Sequence, residues 1–160
     1  MPGLLKSQIN QLTKNALVAA ATEHYYKYMP LHFKMDAYSR YGYQRRKGEG
    51  LSGKAFYKSY TGQKMRKKGH LLPLVFSGDS RTLAIGGTPM IEPKIRSTRH
   101  QATLVQRARG LNRRHPKSQI HMNEEIRAVT QSEINNAALA AGRSFRRQAA
   151  QLKASKTTRV

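Results

Sequence analysis

The sequence predicts an α+β chain in which a small antiparallel sheet is packed by a long N-terminal helix and a long C-terminal helix, with an extended basic arm. Three observations predict it. Apolar residues recur at three- and four-residue spacing near both ends of the chain. Short apolar runs punctuated by Ser, Gly and Asp fill part of the middle. The stretch between the first helix and the first run follows neither period. A length of 160 residues suits one domain with extensions. The expected division is 1–30 as the N-terminal helix of the core, 31–70 as a basic Tyr- and Gly-rich arm, 71–152 as sheet plus C-terminal helix, and 153–160 as a basic tail.

Residues 7–27 read as an amphipathic helix with Ser7 as N-cap and Ile9, Leu12, Ala16, Ala19 and Ala20 on one stripe. Small alanines on that stripe let another element approach closely, and Pro30 ends the helix. A short helix at 32–41 precedes a glycine-punctuated basic stretch, read as an arm that orders against a partner. From Leu71 to Ile85 the pattern is strand, turn at Ser77-Gly-Asp-Ser80, and strand. A third strand is expected within 95–107, where Ile95, Ala102 and Leu104 alternate weakly with polar residues, and 109–117 reads as a loop. The last helix is expected over 123–152, capped by Asn123. Its acidic first turn (Glu124, Glu125) and basic last turns (Arg143, Arg146, Arg147) match the helix dipole. Ile126, Val129, Glu133, Ala137 and Ala140 form its stripe, with Glu133 expected at an exposed edge.

Charge dominates the composition. Thirty Lys and Arg stand against eight Asp and Glu, a formal net charge of +22. Ten of the cations lie between Arg40 and Lys68, eight between Lys94 and Lys117 and six between Arg143 and Arg159, and those three segments hold a single acid, Glu49. Ion pairs within the chain cannot neutralise them, so a polyanion or an acidic neighbour is expected. Arg45, Arg46 and Lys47, together with Arg107, Arg109, Arg113 and Arg114, are the candidate contacts to DNA or to an acidic partner. All eight Tyr fall between Tyr25 and Tyr60. Rings interleaved with guanidinium groups can stack on unpaired bases or meet a neighbouring subunit. The absence of Trp and of a regular sheet pattern favours the subunit contact, with Tyr38, Tyr41, Tyr43, Phe56, Tyr57 and Tyr60 as its residues.

Motifs for chemistry fail on inspection. Gly48-Glu-Gly-Leu-Ser-Gly-Lys54-Ala55 matches a P-loop up to its last position, where Ala55 replaces the magnesium-binding hydroxyl, and basic residues precede it where a buried strand is needed. Six scattered His and no Cys give no metal-ligand spacing and no thiol nucleophile. Ser77 and Ser80 flank a turn and form no nucleophile elbow. The expectation is a non-enzymatic protein with no cofactor, no small-molecule substrate and no membrane span, since no apolar run approaches the ~20 residues that cross a bilayer.

Leu72-Pro-Leu-Val-Phe-Ser-Gly-Asp-Ser-Arg81, set between the arm and the helix begun by Met122-Asn-Glu-Glu, resembles the neck and tail-completion proteins of tailed bacteriophages, including the Mu-like virion-morphogenesis group. In those proteins a segment of the type Pro-Leu-x-x-(Ser/Thr)-Gly-x-x-(Arg/Lys) leads into a sheet. Pro73, Leu74, Ser77, Gly78 and Arg81 stand at the matching positions, and the pattern covers residues 70–145. The resemblance implies a virion protein assembled in the host cytoplasm: a homo-oligomeric ring, six- or twelve-fold, joining portal or adaptor to tail proteins around the DNA passage. Composition alone also suits an RNA-binding protein of a ribosome-like particle.

Overall fold

The computed structural model describes residues 5–75, 77–87, 89–105, 107–112 and 120–157. Its elements in chain order are helix α1 (Lys6–Tyr28), a 3-10 turn (Met29–Phe33), α2 (Ala37–Arg40), α3 (Gly53–Lys58), α4 (Tyr60–Lys68), α5 (Asp79–Ile85), strands β1 (Ile95–Ser97) and β2 (Ala102–Leu104), a second 3-10 turn (Arg109–Asn112), α6 (Met122–Glu125) and α7 (Gln131–Thr157). They group into two units, one built from residues 1–27, 93–105 and 131–160 and the other from residues 28–92 and 106–130.

The first unit holds the expected α+β frame, a two-stranded antiparallel sheet packed against the long N- and C-terminal helices. On α1 the buried stripe is Leu12, Ala16 and Ala20, while Ile9 is exposed. Ser7 does not cap the helix. The Gln8 side chain accepts the backbone N–H of Leu5 at 3.1 Å instead. Asn15 donates to Gln148 at 2.8 Å and Arg143 reaches Glu23 at 3.0 Å. As the α1 partner advances from 15 to 23 the α7 partner retreats from 148 to 143, so the two helices run antiparallel. Ala140 and Ser144 are buried on α7, and so is Glu133, which is only 1% exposed. The expectation of an exposed Glu133 is therefore corrected. Its carboxylate acts on His24 against burial, which holds that imidazole below its ordinary range.

Both strands come from the segment expected to supply one. Ile95 faces Leu104, Arg96 faces Thr103 and Ser97 faces Ala102. The hairpin turn is made by Thr98, whose Oγ1 accepts the N–H groups of His100 and Gln101 and whose own N–H meets the Gln101 carbonyl. Ile95, Ser97, Ala102 and Leu104 are half-buried, while Arg96 and Thr103 stand exposed between them.

The second unit departs further from expectation. Residues 71–85 form no strand-turn-strand among those described. Gly78 turns the chain at φ 98°, a conformation that favours glycine, and α5 begins at Asp79, whose charge suits a helix N-terminus. Thus the run expected to open a sheet leads here into a helix. The stretch 31–70, expected as an arm, carries α2, α3 and α4 and supplies core residues: His32, Phe33, Ala37, Tyr38 and Tyr43 are buried. Rings that would expose large apolar area on an open arm gain more by closing on their own unit. Leu74, Ile85, Ala108, Leu111, Ile120 and Ile126 complete that core, and α5 packs on both 3-10 turns. The final helix is not continuous from 123. Asn123 lies inside the short α6, His121 precedes it, and helix resumes only at Gln131. Val129 and Thr130 are β-branched and disfavour helix, and Thr130-Gln-Ser-Glu133 has the spacing of a capping box that restarts it.

Replacing Ala16 by Leu should cost about 1–3 kcal/mol by overfilling the buried stripe of α1, read as a lowered urea midpoint with unchanged m-value.

Candidate nucleic-acid interface

The basic segment 40–68 lies wholly within the second unit, and the structure sorts its cations into two kinds. Tyr38 is the pivot. Set on α2 and buried, it donates its hydroxyl to Glu49 Oε1 at 3.0 Å, while the guanidinium carbons of Arg45 and Arg46 lie 5.2 and 5.6 Å from its ring centroid. Arg46 grips Glu125 of α6 with two parallel bonds, Nη1 to Oε1 and Nη2 to Oε2, each 2.7 Å, and also donates to the Gln44 carbonyl. Its side chain keeps only 16% exposure and that of Glu125 10%. Burial opposes the Arg46 charge, but hydrogen bonding and attraction from Glu125 more than compensate and raise its pKa. Burial, opposed by the Arg46 charge and reinforced by Glu49, pushes the Tyr38 phenol up to about 12.

Beside this pair lies an aromatic stack. The buried His32 ring is parallel to Tyr41 within 7°, with centroids 4.0 Å apart, and its Nδ1 shares a hydrogen bond with the Tyr43 hydroxyl.

A helical hairpin, α3 and α4, follows. Ser59 caps α4 by accepting the Gly62 N–H at 3.1 Å and returns its own proton to the Phe56 carbonyl at 2.6 Å. The helices meet at Gly62, where a Cβ would fall 2.0 Å from the Phe56 carbonyl oxygen, so only glycine fits. Thr61 donates to the Lys47 carbonyl at 2.7 Å and the buried Lys64 ammonium to the Leu72 carbonyl at 2.5 Å, tying the hairpin to the chain on either side. Burial, with Arg46 adding repulsion, lowers the Lys64 pKa to about 8.

The sequence candidates therefore divide. Arg46 is a structural cation. Arg45, 76% exposed in its side chain beside Glu49, and Lys47 face solvent, as do Arg107 and Arg109. Arg113 and Arg114 lie outside the described residues. Among the aromatic residues expected at a subunit contact, Tyr38 and Tyr43 are inside the unit's own core, Tyr41 and Phe56 are half-buried, and Tyr57 and Tyr60 are exposed. Sequence reasoning missed Glu125 as the partner of Arg46, because the two stand 79 residues apart. It also missed Lys64 as a buried group. The P-loop-like run precedes and enters α3 from irregular backbone and turn, and Lys54 at its end is exposed.

Among the described residues no group of three His, Cys, Asp or Glu could hold a metal ion, and no helix is long and apolar enough to cross a membrane. No protein-family model, curated protein or solved structure matches this chain.

Glu125→Gln should destabilise the protein by about 3 kcal/mol, since it leaves a largely buried guanidinium without its counter-charge. Adding Arg46→Met should recover part of that loss in urea titrations. The Lys64 pKa lies below its ordinary 10.5 in the folded state, so the unfolded chain binds more protons above about pH 8. Stability should therefore rise between pH 8 and 9.5, below the range where Tyr38 matters, and Lys64→Met should flatten that rise in thermal melts.

Proposed function

We propose that this chain is a structural subunit of the head-tail junction of a tailed bacteriophage, a connector or tail-completion ring around the DNA passage, without bond-making chemistry. One observation carries the reading: six of the eight acids are already engaged or buried within the chain. Asp36 pairs with Arg40, Glu49 with Arg45, Glu125 with Arg46 and Glu23 with Arg143. Glu124 lies beside His121, and Glu133 is buried. Thirty cations exceed eight acids by 22, and that excess charge must find its counter-charge in another molecule. A packaged polyanion and the acidic surfaces of neighbouring ring proteins provide it. Two long helices framing a small basic-edged ribbon suit a subunit that meets copies of itself by a closing rotation.

Purified protein imaged by negative-stain electron microscopy should form closed rings. Arg45→Glu, Lys47→Glu, Arg107→Glu and Arg109→Glu together should abolish assembly of DNA-retaining particles. A compact monomer indifferent to both DNA and phage structural proteins overturns the proposal, as do DNA-filled particles assembled from the fourfold variant.

A further inference from the structure

The α3–α4 hairpin carries more exposed positive charge than its own fold requires. Lys54 and Lys58 stand one turn apart on α3, and Arg66 and Lys67 lie at the end of α4, all exposed. Residues 50–78 contain no acid. The nearest carboxylate on the N-terminal side, Glu49, already accepts from Tyr38 and Arg45. Arg66 and Lys67 complement the dipole of α4, but Lys54 sits in the first turn of α3, where the dipole opposes a cation, so helix stability does not account for it. Tyr57, beside Lys58 on α3, and Tyr60, at the start of α4, are 57% and 47% exposed.

The framework under them is fixed. The glycine contact at Gly62, the Ser59 cap, the Thr61 bond to Lys47 and the Lys64 bond to Leu72 hold both helices, so the outward cations are presented from a pre-ordered base. Lys64 turns its charge inward to the scaffold, while Lys54, Lys58, Arg66 and Lys67 are exposed.

We infer that the exposed face of the α3–α4 hairpin is a nucleic-acid contact that grips the phosphodiester backbone without sequence preference. Its cations neutralise successive phosphates, and Tyr57 and Tyr60 lie against sugars or bases at the edge. The inference rests on the proposed junction role for its occupant, DNA, but on the hairpin alone for its chemistry. RNA offers the same phosphates and is separated by the test.

The full-length protein is titrated by fluorescence anisotropy into a labelled 20-base-pair DNA duplex, the matching single strand and an RNA hairpin, each between 50 and 200 mM NaCl. Lys54→Glu, Lys58→Glu and Lys67→Glu together should weaken DNA binding by about 30-fold or more and lower the salt slope by about 3, near 0.9 per lost phosphate contact. Lys6→Glu, Lys34→Glu and Arg147→Glu change the net charge equally on exposed positions elsewhere and should change affinity by less than about 3-fold, apart from the field common to both variants. If the Glu variant fails to fold by circular dichroism, the Gln version of the same three positions should still lose about 10-fold.

Equal losses in hairpin and control variants overturn the inference, as does an unchanged hairpin variant. Tighter binding to poly-glutamate than to any nucleic acid also overturns it, because the occupant is then an acidic protein. Tighter wild-type binding to the RNA hairpin than to DNA overturns DNA as the occupant. Monomeric wild type that binds DNA through the hairpin defeats the ring reading alone. Rings whose DNA binding ignores the hairpin defeat this inference alone.

Discussion

Eight carboxylates serve thirty cations, and where each carboxylate goes decides what the rest of the molecule can be. The most demanding position is that of Glu125, which neutralises Arg46 through two short bonds beneath the aromatic cluster of the second unit. With that pair in place, Tyr38 can lie against both guanidinium groups, and its hydroxyl can hold Glu49, which in turn meets Arg45. An acid used this way is unavailable to the surface. The interior is balanced because the exterior is not.

The same economy separates scaffold cations from solvent-facing ones. Arg46 and Lys64 are drawn inside and satisfied by a carboxylate and a carbonyl. Lys47 contributes its backbone carbonyl to Thr61 while its side chain stays exposed. Adjacent residues in one basic run thus do opposite work, and their positions in three dimensions, not their shared charge, make the difference.

Much of the frame was legible in the sequence because it rests on local rules. The period of Leu12, Ala16 and Ala20, the stop at Pro30 and the alanine face of the last helix come from spacing alone, and they mark the two long helices that flank the ribbon. What escaped is what depends on distant partners. Nothing near Arg46 announces Glu125, and Glu125 itself is explained as well by the dipole of a helix start. The tyrosine-rich segment reads as an arm because it lacks period, yet irregular backbone closes on itself when His32, Tyr38 and Tyr43 find one another. Ser77-Gly-Asp is compatible with a hairpin turn and with a helix entry alike, and only the chain that follows decides between them. One local sign does argue for the break after α6: Thr130-Gln-Ser-Glu133 has the spacing of a helix beginning.

The clasp between Arg46 and Glu125 also sets a timetable. It spans 79 residues of chain, and the first unit likewise waits for residues 131–157 to meet helix α1. During synthesis, at roughly 5–20 residues per second, the nascent polypeptide carries its tyrosines and most of its positive charge for several seconds before either closing segment leaves the ribosome. Until Glu125 has emerged, Arg46 lacks the counter-charge it meets in the folded second unit, and the residues upstream of it wait on that late arrival.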